Sequence, residues 1–180
     1  MRQKNQNLLF IGTIIFFIVG MIHITLALLG ILCMVLPFIL RAWSGKKLWC
    51  TTYCPRASLF NKLLKPIALN RKAPKWLFSK QAKKAVLVFF LINLFFITMS
   101  TLMVGLGRIE PMIYLRFLIA FKIPIELPQM FAWDAPNYLL HLGYRFYSMM
   151  LTTTTVGLML GTLYRPRAWC NICPIQTLTK

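Results

Sequence analysis

Acidic residues are what this chain lacks most. Only Glu110, Glu126 and Asp134 stand against 21 Lys and Arg in 180 residues, and just 13% of the residues are charged. Glu110 and Glu126 lie far from every cysteine in sequence, so no carboxylate pair suggests acid–base catalysis. Histidine is almost as scarce, with only His23 and His141. There is no Ser/His/Asp constellation, no Gly-rich phosphate loop and no HExxH, so the usual hydrolase, nucleotide-binding and zinc-peptidase signatures are missing. Low-complexity tracts and long linkers are missing too.

Apolar residues are abundant. They make up 58% of the chain, the mean hydropathy is +0.66 and the formal net charge is +18. A soluble domain is nearer half apolar, with about a quarter of its residues charged. High apolarity with a large positive charge indicates a membrane protein with basic loops on one side. Nucleic-acid binding is not expected, because such proteins do not usually carry uncharged apolar stretches longer than ~18 residues.

Three uncharged runs stand out: Leu8–Leu40, Ala85–Gly107 and Phe146–Tyr164. The last two are near the ~20 residues that one span requires. The first would reach about 50 Å as one helix at ~1.5 Å per residue, more than a ~30 Å hydrocarbon core. It is either one long tilted helix or a hairpin that turns near "VGMIHIT", where Gly20 and His23 are the break points. Its length, and the lack of a small-x-small site, argue against a cleavable signal peptide.

The segment 41–84 carries twelve Lys and Arg and no acid, which the positive-inside rule places in the cytoplasm. The segment 108–145 then lies outside and holds all three acids. Arg165, Arg167 and the tail are cytoplasmic. Arg2 and Lys4 favour a cytoplasmic N-terminus, which needs the hairpin and four spans.

The expected fold is therefore an all-α integral membrane protein. Residues 1–180 form a single transmembrane domain of three or four helices, with spans at about 8–40, 85–107 and 146–164. Two flanking pieces are expected to lie at the interface. Met112–Lys122, bracketed by Pro111 and Pro124, reads as an amphipathic helix on the outer surface. Leu59–Phe78, with Lys interspersed among Leu, Ile and Trp, reads as resting on anionic lipid heads. An ordinary solvated loop is the plain alternative for both.

The only internal repeat is a Trp-Cys…Cys-Pro element. "WCTTYCP" gives Cys50, Cys54 and Pro55, and "WCNICP" gives Cys170, Cys173 and Pro174. Each follows an apolar run by a few residues, and the topology puts both on the cytoplasmic face. Together the two pairs offer four thiolates, the usual complement of a [4Fe–4S] or [2Fe–2S] cluster. Proline fixes its own φ, has no N–H and holds the preceding Cys extended. Four thiolates around an iron–sulfur core leave net negative charge, which Arg41, Lys46, Lys47, Arg56, Arg165 and Arg167 would offset. Trp49 and Trp169 would anchor the elements at the interface.

Other readings of the cysteines stay open. The spacing also suits structural zinc, while disulfides fit poorly with a reducing cytoplasmic face. Each pair could also meet the pair of another chain across a homodimer. Cys33, inside the first run, reads as a packing residue, with a ligand or redox role as the alternative. His23 reads as a packing histidine, with a quinone hydrogen bond as the sharper alternative. A bis-His haem would need His23 and His141 at one depth. "SMMLTTTTVG" reads as helix packing, or as a soft-metal path.

At the two Cys-Pro elements the sequence resembles the NapH/NosR-type membrane 4Fe-4S binding proteins, and more loosely the cytochrome oxidase accessory iron–sulfur proteins. The resemblance covers both motifs and the helices before them. It implies electron transfer at the bacterial inner membrane between quinol, clusters and a partner redox protein or membrane complex. It also implies that Cys50, Cys54, Cys170 and Cys173 hold the cluster. The chain departs from the pattern in its two-residue second gap and in having no C-x2-C-x2-C-x3-C-P ferredoxin module. This favours a small electron-transfer subunit or an assembly-type factor. Soft-metal transport, and a non-redox subunit with zinc or no metal, are the rival classes.

Overall fold

The long N-terminal run breaks at His23. Helix α1 spans Arg2–Ile22 and is followed by a 3-10 segment, Ile24–Leu29, and then helix α2, Gly30–Ser44. His23 is extended (φ −152°, ψ 129°), and its Nδ1 accepts the Thr25 N–H at 3.3 Å. The imidazole thus caps the new segment and replaces a lost helical carbonyl. Gly30 then meets Phe16: a Cβ there would lie 3.1 Å from the ring, so the chain has doubled back. Of the two break points in the sequence, His23 is the one used.

The computed structural model describes residues 2–45, 49–118, 121–123, 127, 129–130 and 134–179. Lys46 and Lys47 lie outside the described residues. After α2 come a π-helical turn at Trp49–Tyr53, helix α3 at Pro55–Leu64 and helix α4 at Lys80–Gly105. A two-stranded hairpin follows, β1 (Arg116–Phe117) with β2 (Phe121–Lys122). Helices α5 (Asn137–Leu163), α6 (Ala168–Ile172) and α7 (Pro174–Leu178) complete the order.

Two segments, Ile24–Ser44 and Lys80–Gly105, are long and apolar enough to cross a membrane, and Leu8–Ile22 is apolar but shorter. Helix α4 exposes Phe89, Phe95, Phe96 and Leu102. The third apolar run is helical within α5, which begins earlier, at Asn137. Its four consecutive threonines dilute its apolarity.

The expectation of an amphipathic helix over Met112–Lys122 is corrected: this piece holds the hairpin. Leu118 adopts a positive φ of 48°, which a helix does not accept. The backbone N–H groups find acceptors on α5 instead. Arg116 N–H donates to Ser148 Oγ at 3.1 Å, and Leu118 N–H to Thr152 Oγ1 at 3.3 Å. The piece at Leu59–Phe78 is corrected in part. Its first portion belongs to α3, whose Leu59, Phe60 and Leu64 are buried inside the protein. The all-α expectation holds for everything described except this hairpin.

The chain divides into two compact units. One comprises Met1–Ile14, Cys33–Phe90 and Thr154–Lys180; the other comprises Ile15–Leu32 and Leu91–Thr153. In the second, Ile24, Ala27, Met112, Leu115, Tyr144 and Tyr147 form the core. The Tyr147 ring stacks on Phe16 and meets Phe17 edge-on, and its hydroxyl donates to the Phe17 carbonyl at 3.3 Å. In the first, α3 lies against α5 where Gly157 and Gly161 leave a groove. A Cβ at Gly157 would come 2.4 Å from the Phe60 ring, and one at Gly161 2.2 Å from Leu64 Cδ1. Two glycines one turn apart thus create the close approach, as small residues do between membrane helices.

Candidate metal centre

Helix α2 ends at Gly45, whose left-handed φ of 62° closes the helix with an N–H bond to the Arg41 carbonyl at 2.9 Å. The first Cys-Pro element follows. Its π turn carries Trp49 and Cys50 and closes with Cys54 N–H on the Trp49 carbonyl at 2.8 Å. Cys54 is extended (φ −69°, ψ 112°), and Pro55 opens α3 at its first turn. The second element repeats the plan: α6 carries Trp169 and Cys170, Cys173 is extended (φ −58°, ψ 130°), and Pro174 opens α7.

Their unequal gaps have a simple geometric origin. From Trp to the second Cys is five positions in the first element and four in the second. Five is the reach of a π turn and four that of an α turn. The extra residue of Cys50-x3-Cys54 is absorbed by a wider turn, and both elements then deliver an extended Cys followed by a helix-starting Pro.

Both elements line one cavity of about 40 Å³, with walls from Cys33, Trp49, Cys50, Cys54, Arg56, Ala57, Phe60, Trp169, Cys170, Cys173 and Ile175. A single water needs roughly 10–15 Å³, so the space suits a larger compact group. None of the five cysteines forms a disulfide, and all five are half-buried. Burial pushes the Cys170 thiol up to about 12, with the neighbouring cysteines adding to the rise and Arg167 opposing it. Burial also raises Cys173, against the Arg56 guanidinium. Arg41 donates to the Thr179 carbonyl, tying α2 to the end of α7.

Among the described residues, no three Cys, His, Asp or Glu side chains gather closely enough to hold a metal ion. Tetrahedral zinc needs its sulfurs all about 2.3 Å from one centre. A cluster instead distributes its thiolates over several irons, which suits thiols ringed around a cavity. Four thiolates are a donor set that fits an iron–sulfur cluster, as they would a zinc ion.

The structure brings together all four thiols expected from the sequence. It adds Cys33, expected to be a packing residue, to the same wall. Trp49 and Trp169, expected as interface anchors, also line the cavity. Phe60, Ala57 and Ile175 were not foreseen; they follow the prolines at positions that carry no chemical signal. The histidines are placed elsewhere in function. His141 Nδ1 accepts the Met112 N–H at 3.0 Å, so Nε2 holds the proton and faces Ser100 Oγ at 2.9 Å. With both of its nitrogens engaged, His141 has none left for haem iron.

Residues 26–75 and 147–180 match the family model of a 4Fe-4S binding domain. No curated protein and no solved structure matches the chain. The matched segments contain both Cys-Pro elements. The match supports an iron–sulfur cluster as cofactor, [4Fe–4S] by the domain's description, and an iron–sulfur electron-transfer function.

Proposed function

We propose that this protein is a membrane-bound electron carrier of the NapH/NosR type, in which Cys50, Cys54, Cys170 and Cys173 hold one [4Fe–4S] cluster. One observation carries the reading: two Cys-Pro elements 120 positions apart in the sequence form the wall of one cavity. When bound, the cluster supplies a one-electron couple. The chain's own residues do the rest. The extended Cys54 and Cys173 turn their thiolates out of the helical path. Arg56 and Arg167 offset the negative charge of four thiolates. Trp49, Trp169 and Phe60 cover the site and limit water, which together with the cations tunes its potential.

The two apolar segments and the basic residues of 41–84 support a place in the bacterial inner membrane, with the thiols at the cytoplasmic face. There the protein would link quinol to a partner redox protein or membrane complex. A second reading, soft-metal handling, draws on Cys33 as a fifth thiol at the same cavity.

Anaerobic purification in detergent, followed by iron, sulfide and zinc assays and EPR with and without dithionite, tests the proposal. About four irons and four sulfides per chain are expected, with an EPR signal in the reduced state. Zinc without sulfide would remove the electron-transfer reading. Stoichiometric Cu(I) binding with no redox signal would favour the second one.

A further inference from the structure

A second charged cluster belongs to the unit that holds the hairpin. Arg116 and Lys122 are direct cross-strand partners, so both side chains leave one face of the hairpin. Like charges in this position repel. Tyr114, two residues before Arg116, shares that face. The Arg116 guanidinium carbon lies 5.1 Å from the Tyr114 ring centre, and the Lys122 Nζ lies 4.6 Å from it. The guanidinium also donates to the Tyr114 hydroxyl.

A third cation completes the group. Arg145 stands one turn before Ser148 on α5, and Ser148 is the residue that holds the Arg116 backbone. Its Nε is buried and makes no hydrogen bond. The hydrogen bond from Arg116 and then the charges of Arg116, Lys122 and Arg145 hold the Tyr114 phenol below its ordinary value, despite some burial. Among the described residues no carboxylate pairs with any of these cations. Three gathered cations and an orphaned guanidinium N–H call for an anion. Planar guanidinium forks match phosphate oxygens in pairs. The same hairpin region exposes Ile113 and Phe121, at 63% and 66%. By the same alternation these two lie on the opposite face from the cations. The lipid source rests instead on the place of the hairpin in the chain, just after helix α4, which is long and apolar enough to cross a membrane, where phospholipid headgroups lie.

We propose that Tyr114, Arg116, Lys122 and Arg145 form a binding site for a phosphate-type anion, presented as the headgroup of an anionic phospholipid.

The test uses the full-length holoprotein in a neutral detergent. Short-chain phosphatidylglycerol, short-chain phosphatidylcholine and inorganic phosphate are titrated in parallel. Bound lipid is counted by native mass spectrometry and stability is read from the melting temperature. The expected result is one phosphatidylglycerol per chain, with a rise in melting temperature that phosphatidylcholine does not give. Arg116→Gln with Lys122→Gln should weaken binding at least about tenfold, the scale of losing charge-assisted hydrogen bonds. Both residues lie on the hairpin surface, so this variant carries the test should Arg145→Gln fail to fold. Lys83→Gln with Lys84→Gln, outside the site, should leave binding unchanged. Inorganic phosphate reproducing the whole shift would overturn the lipid assignment and leave a free anion as the ligand. Equal binding of both lipids, or no effect of the hairpin variant, would overturn the site itself.

Discussion

The two Cys-Pro elements reach the same backbone state by different turns. The first uses a π turn across Trp49–Tyr53 and then a ten-residue helix, α3, seated in the glycine groove of α5. The second uses an α turn across Ala168–Ile172 and then only a five-residue helix, α7, with Arg41 donating to the Thr179 carbonyl beyond it. Both bury apolar side chains, Phe60 and Leu64 in the first and Ala168, Ile172 and Ile175 in the second, and the second adds the charged hydrogen bond from Arg41. The common features are an extended Cys followed by a helix-starting Pro. The length of the turn before them is adjustable.

The strongest way to break the comparison is to remove one thiol from each element. Cys54→Ser and Cys170→Ser should each lower bound iron by about tenfold or more if both elements serve one cluster. Iron assays that show half the iron remaining in each variant would mean that each element serves a separate site.

Next in size is the packing that holds only the first element. Gly157→Ala places a methyl group into the Phe60 ring and should cost about 1–3 kcal/mol, as overpacked cores do. Melting curves in detergent should show the loss, with bound iron falling alongside it. An unchanged melting temperature would mean that α3 can shift away without consequence.

A pH series addresses the second element. Burial raises the Cys170 thiol from 9.0 to about 12 in the folded, metal-free protein. Below pH 9.0 the thiol keeps its proton whether folded or unfolded, and its contribution to stability is intact. Above that, the unfolded chain releases the proton while the folded one retains it, so stability falls as pH rises towards 12. Reduced, metal-free protein unfolded in urea at pH 7.5 and 10.5 should show this loss, and Cys170→Ser should show less of it. Equal slopes would place the titration elsewhere.

The smallest effect is expected from deleting Thr51. This shortens the first element to the spacing of the second and should convert its π turn to an α turn. Bound iron should stay within about twofold of wild type. Loss of the iron would show that the wider turn is itself required.

Much of the site was legible because its signal is local. A Cys followed by Pro restricts its own backbone, whatever the fold does around it, and the spacing of the cysteines is visible without any tertiary contact. Apolar runs announce helices for the same reason, and His23 was one of two breaks that the first run allowed. What could not be read depends on partners distant in sequence. The hairpin at Arg116–Lys122 exists because Ser148 and Thr152 accept its backbone bonds, so its spaced cations looked like one face of a helix. Cys33 looked like packing because only the fold brings α2 to the cavity wall. Gly157 and Gly161 carry no label that they face Phe60 and Leu64. The division into two units is likewise a property of contacts and not of composition.

The wall of the thiol cavity joins residues 33–60 to residues 169–175, and this fixes an order in time. Local helices close in microseconds or less, whereas contacts between remote segments wait for the chain between them to be arranged. Two thiols of one element are available early, and the full set only after α5 has packed against α3. Iron arriving before that moment meets half a site. A cluster held by all four thiols is therefore complete only once the two elements have met, so its loading and the packing of α5 against α3 are coupled.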